Sequence, residues 1–214
     1  DMIFNIPNQT IKTLISNLKT IIDLDPEHIS CYSLTVEKGT TLYNRVSDGT
    51  VKMPNEDLDY SMYQTTMSIL KDAGYSQYEA SSYAKKTKEC IHNLHYWNLD
   101  PYLAFGPSAH GYDGKTRWWN HRSLDMYISD IQSGKLPINN REFLNPKNHY
   151  NEIIMNGLKT SNGININELK KIDGNLDLDD MILKWPQLII KNDRLKLINN
   201  DFMLLDEITA DLFI

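Results

Sequence analysis

The run His92-Asn93-Leu94-His95-Tyr96-Trp97 carries the densest group of chemically capable side chains in the 214-residue sequence. Imidazole is a common axial ligand of haem iron, and aromatic rings pack against a porphyrin face. His92 and His95 could instead bind zinc, which would need two further ligands from His110, His121 or Cys90, and that scattered spacing matches no familiar zinc pattern. His95 and Tyr96 could equally be ordinary loop residues held by hydrogen bonds. Residues 84–122 hold four of the six histidines and three of the four tryptophans, interspersed with Gly106, Gly111 and Gly114. A functional site is expected in this loop-rich stretch; an aromatic plug over the open edge of a sheet is the alternative.

The other constellations are weaker. Residues 104–112 form a small-residue turn where Gly106 and Ser108 would let backbone approach a flat ligand or a strand, without the spacing of a phosphate loop or dinucleotide fingerprint. Arg117-Trp118-Trp119-Asn120 could supply an aromatic wall, but adjacent tryptophans on an extended chain point opposite ways, so at most one faces a given ligand and the other belongs to the core. Asp1 and Glu37 fall at or beyond strand ends, at different ends, and make no carboxylate pair. Cys31 lies inside an apolar strand, Cys90 in a more exposed context, and no Ser/His/Asp order with a nucleophile elbow occurs.

These residues need elements to position them. Residues 2–6 read as a short buried strand closed by Pro7. Thr10 then caps a helix whose apolar side carries Ile11, Leu14, Ile15, Leu18, Ile21 and Ile22. Residues 28–34 are the next strand, and strand, helix, strand argues a right-handed parallel crossover. A polar loop around Gly39 and Gly49 leads to a second helix capped by Asn55, with Leu58, Met62, Thr66, Ile69, Leu70 and Ala73 on one side and Gly74 after its end. Residues 75–83 read as one further strand with a polar face. Residues 123–133 form a short helix packing through Leu124, Tyr127, Ile128 and Ile131, and residues 134–140 a linker. A small second domain starts near Leu144: helices over 150–158 and 166–172, a hairpin over 188–198 turning at Asn192-Asp193, and an amphipathic helix over 201–213. Helices followed by a hairpin read as a winged-helix-like module.

Composition narrows the functions. Against 28 acidic residues stand 22 Lys and Arg, a net charge of −6, so no basic field exists to collect a polyanion. The stretch 165–184 places Glu168, Asp173, Asp177, Asp179 and Asp180 beside only Lys170, Lys171 and Lys184, so the wing reads as a packing or partner-binding module, not a DNA reader. Two cysteines cannot form a disulfide scaffold or a three- or four-cysteine metal site. No transmembrane stretch or signal peptide is visible, which makes a cytoplasmic protein the default and leaves peripheral membrane association open. The opening directly into Met2-Ile3-Phe4 is read as the start of a fragment.

Several stretches together carry a family resemblance: Asp1-Met2-Ile3-Phe4-Asn5-Ile6-Pro7-Asn8-Gln9-Thr10, His28-Ile29-Ser30-Cys31-Tyr32-Ser33-Leu34-Thr35-Val36-Glu37, residues 74–84, the His92 run, Gly106, and Arg117-Trp118-Trp119-Asn120. The sequence resembles the oxygen-independent coproporphyrinogen III oxidase-like radical S-adenosylmethionine proteins, above all their haem-chaperone branch. The likeness runs in order to the last helix, and His-Asn-x-x-Tyr-Trp is its most specific motif.

That resemblance implies an α/β fold: the C-terminal part of a partial (β/α)6 barrel with its aromatic, His-rich loops over 1–122, a connecting helix and linker over 123–143, and a small helical, winged-helix-like domain over 144–214. It implies a longer parent in which three N-terminal cysteines hold a [4Fe-4S] cluster that cleaves S-adenosylmethionine. That motif is absent here, so the fragment is expected to hold no cluster ligand and to be inert by itself. Carried over by position, Asp1, Leu34 and Tyr78 would line S-adenosylmethionine, Tyr78 mainly through its backbone. His92 would contact haem and ligate its iron, with Asn93, Tyr96 and Trp97 shaping its surroundings. The chaperone branch passes haem to acceptor proteins, whereas true oxidases convert two propionates of coproporphyrinogen III to vinyl groups; a protein-interaction module is the remaining alternative. Asn5 and Asn8 stand where the family usually has Gly, and Ser108 and Gly111 also depart from its commonest loop.

Overall fold

The computed structural model describes residues 1–214, which divide into two compact units, Asp1–Cys90 and Ile91–Ile214. In the first, β1 (Met2–Phe4), α1 (Ile11–Asp23) and β2 (His28–Ser33) form the expected parallel crossover, with Met2 opposite Cys31 and Phe4 opposite Ser33. Thr10 caps α1 in a reciprocal box with Thr13, each side chain taking the other's backbone N–H. Then come α2 (Thr41–Ser47), α3 (Glu56–Asp72), β3 (Ser76–Glu79) and β4 (Ser82–Ala84), completing a sheet of order β1-β2-β4-β3.

The single strand expected over 75–83 is instead a tight hairpin, and β4 runs antiparallel to β2. Its polar middle makes the turn: Gln77 Nε2 donates to Ala80 O at 3.0 Å, and Glu79 Oε2 accepts the Ser81 N–H at 3.2 Å. α2 falls in the region read as a polar loop. Its single Thr40 cap and lack of a buried residue leave little periodic signal. One sheet face packs Met2, Phe4, Ile29, Cys31 and Tyr83 against Leu14 and Leu18 of α1 and Met62 and Leu70 of α3. The alternate residues Ile3, Ser30, Tyr32 and Ser82 therefore belong to the other face.

The second unit begins with α4 (Ile91–Trp97), so the His92 run is helical where loop was expected. β5 (His110–Tyr112), β6 (Thr116–Asn120) and β7 (Ile138–Phe143) form an antiparallel sheet of order β5-β6-β7, with α5 (Leu124–Gln132) before β7. The stretch read as a linker thus ends in a paired strand. α5 also corrects its expected packing, because Leu124, Ile128 and Ile131 are exposed while Tyr127 and Asp130 make its attachments, Tyr127 Oη accepting the Gly106 N–H and Asp130 meeting His121.

α6 (Pro146–Gly157), β8 (Ile164–Asn165), α7 (Ile166–Ile172), α8 (Leu178–Lys184), β9 (Leu188–Lys191), β10 (Arg194–Leu197) and α9 (Leu205–Asp211) complete the chain. β9 and β10 turn at Asn192-Asp193 with φ of 54° and 57°, the left-handed pair a two-residue hairpin requires, and β8 extends them into a sheet of order β8-β10-β9. The helices expected over 150–158 and 166–172 and the hairpin over 188–198 are present, α8 adds a helix that was not expected, and the last helix is shorter than residues 201–213. Tyr150, Ile154, Leu158, Leu169, Leu195 and Ile208 are the fully buried core of these elements. None of the three sheets closes into a barrel, and no helix is long and apolar enough to cross a membrane.

Candidate functional site

Open α/β sheets bind ligands beyond the C-terminal ends of their parallel strands, and the turn after β1 lies there. Asn5 and Asn8 have φ of 59° and 62°, a region asparagine enters more readily than most side chains. Asn5 Nδ2 donates to Ser33 Oγ at 3.2 Å, and Ser33 donates to Asp59 Oδ1 at 2.9 Å, tying the ends of β1 and β2 to α3. Gln9 Oε1 accepts the Ile6 N–H at 3.4 Å. This leaves Asn5 Oδ1 and Gln9 Nε2, an acceptor and a donor, buried without partners. Such groups cost free energy until a hydrogen-bonding ligand meets them.

The three residues expected around S-adenosylmethionine occupy different parts of this unit. Asp1 is exposed ahead of β1, and Leu34 follows β2 with its N–H donating to Phe4 O at 3.0 Å. Because β1 and β2 run parallel, these two lie at opposite strand ends. Tyr78 is buried on β3 with its hydroxyl 2.8 Å from His28 Nε2 and accepting the Cys90 N–H at 3.3 Å. Burial holds His28 below its ordinary value and likewise pushes the Tyr78 phenol up, so desolvation disfavours charge on both partners of this hydrogen bond. Sequence reasoning missed His28, whose only signal was a polar residue opening an apolar strand.

In the second unit α4 sorts the His92 motif onto two faces. His92 and Tyr96, one turn apart, pack edge to face with ring centroids 4.9 Å apart. Tyr96 rests on Tyr102 at 4.6 Å and Tyr102 on Tyr112 at 6.1 Å. Arg117 ends the row, its guanidinium 5.9 Å from the Tyr112 ring centre and paired with Glu152 at 2.8 Å. Burial works against the Arg117 charge, but the Glu152 hydrogen bond and charge outweigh it and hold Arg117 above its usual value. An exposed imidazole is thereby backed by rings anchored to a largely buried ion pair. Tyr102, Tyr112 and Glu152 escaped sequence reasoning because their residue types are common in cores and on helices.

Asn93 and Trp97, also one turn apart, are half-buried. Lys159 Nζ lies 5.4 Å from the Trp97 ring centre. The indole N–H is buried without an acceptor, and Trp97 lines a polar cavity of about 380 Å³ with Asp100, Asn165, Glu168 and Arg194. The two tryptophans of β6 do point opposite ways: Trp119 stacks on His110 at 5.8 Å, and Trp118 covers Gly111 of β5. Neither is fully buried, so neither is a core residue.

The donors can be tested against the groups the resemblance implies. His92 is exposed and its ring packs edge to face on Tyr96, which fits an axial ligand. The unsatisfied Asn5 and Gln9 atoms fit a hydrogen-bonding ligand at the end of β1. An iron–sulfur cluster does not fit these residues: Cys31 is buried in the core with its thiol pushed up to about 12 by desolvation, Cys90 is half-buried, and no three His, Cys, Asp or Glu side chains gather around one point.

No protein-family model matches the chain. The haem chaperone HemW of Bacillus subtilis is 36% identical over 164 residues, 77% of this chain and 43% of that protein. HemW of Mycobacterium tuberculosis strain H37Rv is 29% identical over 212 residues, 99% of this chain and 54% of that protein. The chain therefore spans about half the length of the curated relatives it matches. Coproporphyrinogen III oxidase (HemN) from Escherichia coli, a radical SAM enzyme, superposes with a TM-score of 0.73 at 15% identity, over 97% of this chain and 52% of that structure. Sequence and fold agree, and the chain is a member of the radical S-adenosylmethionine superfamily, related to its HemN/HemW branch.

Proposed function

We propose that the chain is the C-terminal part of a cytoplasmic haem carrier of this branch, holding haem through His92 and passing it to an acceptor protein. The observation that carries this reading is the exposed His92 imidazole, packed on Tyr96 at the end of an aromatic row, in a chain similar to relatives named for haem chaperoning. In this reading His92 is the iron ligand, and Asn93, Tyr96 and Trp97 shape its surroundings. Residues 1–122 are the later portion of a partial (β/α)6 barrel with its loops, 123–143 connect, and 144–214 are the small winged domain.

Asp1, Leu34 and Tyr78 would line S-adenosylmethionine in the longer protein, with Asn5 and Gln9 adding hydrogen bonds at the end of β1. When bound, that group supplies a sulfonium whose reductive cleavage yields a carbon radical. The cluster that would deliver the electron has no ligands in these residues, and no step through it is derived.

A second reading, an oxidase converting propionates to vinyl groups, draws on the scaffold shared with the Escherichia coli enzyme. The full-length protein, reconstituted anaerobically with cluster and S-adenosylmethionine, separates the two. A carrier retains haem through gel filtration and leaves coproporphyrinogen III unchanged. Vinyl products would establish the oxidase and overturn the carrier.

A further inference from the structure

The second unit contains a cavity of about 440 Å³ to which none of the residues assigned above to haem or S-adenosylmethionine contributes. Its floor is one face of β6, where the alternate residues Thr116, Trp118 and Asn120 line it. Gly111 makes room for the Trp118 indole on β5, since any Cβ there would overlap the ring. Asn120 is 1% exposed, and its Nδ2 donates to Ala104 O at 3.3 Å and Gly106 O at 3.0 Å. This double bond to one loop holds Leu103 and Phe105 at the mouth, 70% and 80% exposed, facing a second rim that carries Leu136, itself 74% exposed. Large apolar side chains held out in water around a concavity mark a binding surface.

The charges around the cavity decide what it fits. Asp113 Oδ1 accepts the N–H groups of Lys115 at 2.9 Å and Thr116 at 2.7 Å, so this carboxylate serves the β5–β6 turn. Arg141 sits directly across from Trp118 in the β6–β7 register, lines the same cavity, and its guanidinium has no hydrogen bond or ion pair. Apolar and aromatic walls with one uncommitted cation, in a volume within the roughly 300–1,000 Å³ typical of small-molecule pockets, call for an amphipathic anion. We propose that this cavity binds a small, flat apolar molecule bearing one carboxylate or sulfonate-like group, its ring system between Trp118 and Phe105 and its anion on Arg141.

The test titrates the chain with 1-anilinonaphthalene-8-sulfonate and with N-phenyl-1-naphthylamine, a similar ring system without the charge. A charge-assisted hydrogen bond favours the sulfonate by roughly tenfold. Arg141→Gln removes that preference, and Leu136→Asp weakens both probes. Trp118→Phe removes the largest share of tryptophan-to-probe energy transfer. Leu183→Asp, at the exposed α8 position, and His92→Ala change nothing, so this inference stands or falls apart from the haem reading. Arg141 and Leu136 are exposed, and circular dichroism checks that their variants remain folded. The proposal is overturned by equal binding of the two probes, by a sulfonate preference that survives Arg141→Gln, by absence of saturable binding, or by self-association that Leu136→Asp abolishes, which would make the groove a contact between copies.

Discussion

His28 shows how burial changes the meaning of a residue. Its ring nitrogen hydrogen-bonds the buried Tyr78 hydroxyl, and desolvation lowers its affinity for a proton below the ordinary value of 6.5. Between the folded-state and unfolded-state values the unfolded chain binds the additional proton, so this contribution to stability is complete above about 6.5 and declines as pH falls from there toward the lower folded-state value. Thermal melting between about pH 7.5 and pH 5 should therefore show a steeper loss for the wild type than for His28→Gln, which keeps an acceptor without a titrating ring. Parallel curves would contradict the assignment. His92 is the opposite case, exposed and free to take a ligand, with Tyr96 limiting how its ring turns.

At the scale of elements, β6 sends Thr116, Trp118 and Asn120 to one side and Arg117 and Trp119 to the other, serving a cavity and an ion pair from five consecutive residues. The arrangement depends on Gly111. Gly111→Ala would drive a methyl group into the Trp118 indole and is expected to destabilise by about 1–3 kcal/mol, the range for overpacking; chemical denaturation reads this directly, and an unchanged midpoint would show that the indole moves away freely.

The α1 crossover, the Asn55-capped α3 and the Asn192-Asp193 hairpin were legible because their signals are local: caps, a 3.6-residue period, and a turn needing two left-handed residues. The β3–β4 hairpin and α4 were not. Residues 75–83 read as one irregular strand until the Gln77 and Glu79 side chains are seen to hold a turn, and seven residues give a helix too few turns to show its period. The candidate site was legible in His92 and Trp118 but not in Arg141 or Glu152, because the meaning of those charges lies in which strand or helix they face across the fold.

For the whole molecule, the net charge of −6 and the acidic stretch over residues 165–184 supply no basic field for a polyanion. The two cysteines are accounted for separately, one in the core and one half-buried. What the chain presents instead is aromatic surface: an imidazole-tipped row of rings and an apolar cavity with a single free cation, both in the second unit.

The central claim is that His92 holds haem iron. Titrating haem into the chain while recording the Soret band tests it most directly, with His92→Ala measured alongside. The account predicts a saturable, histidine-ligated spectrum in the wild type, and an affinity at least about tenfold weaker with an altered iron spectrum in the variant. Equal affinity and an identical spectrum for the two proteins would contradict it.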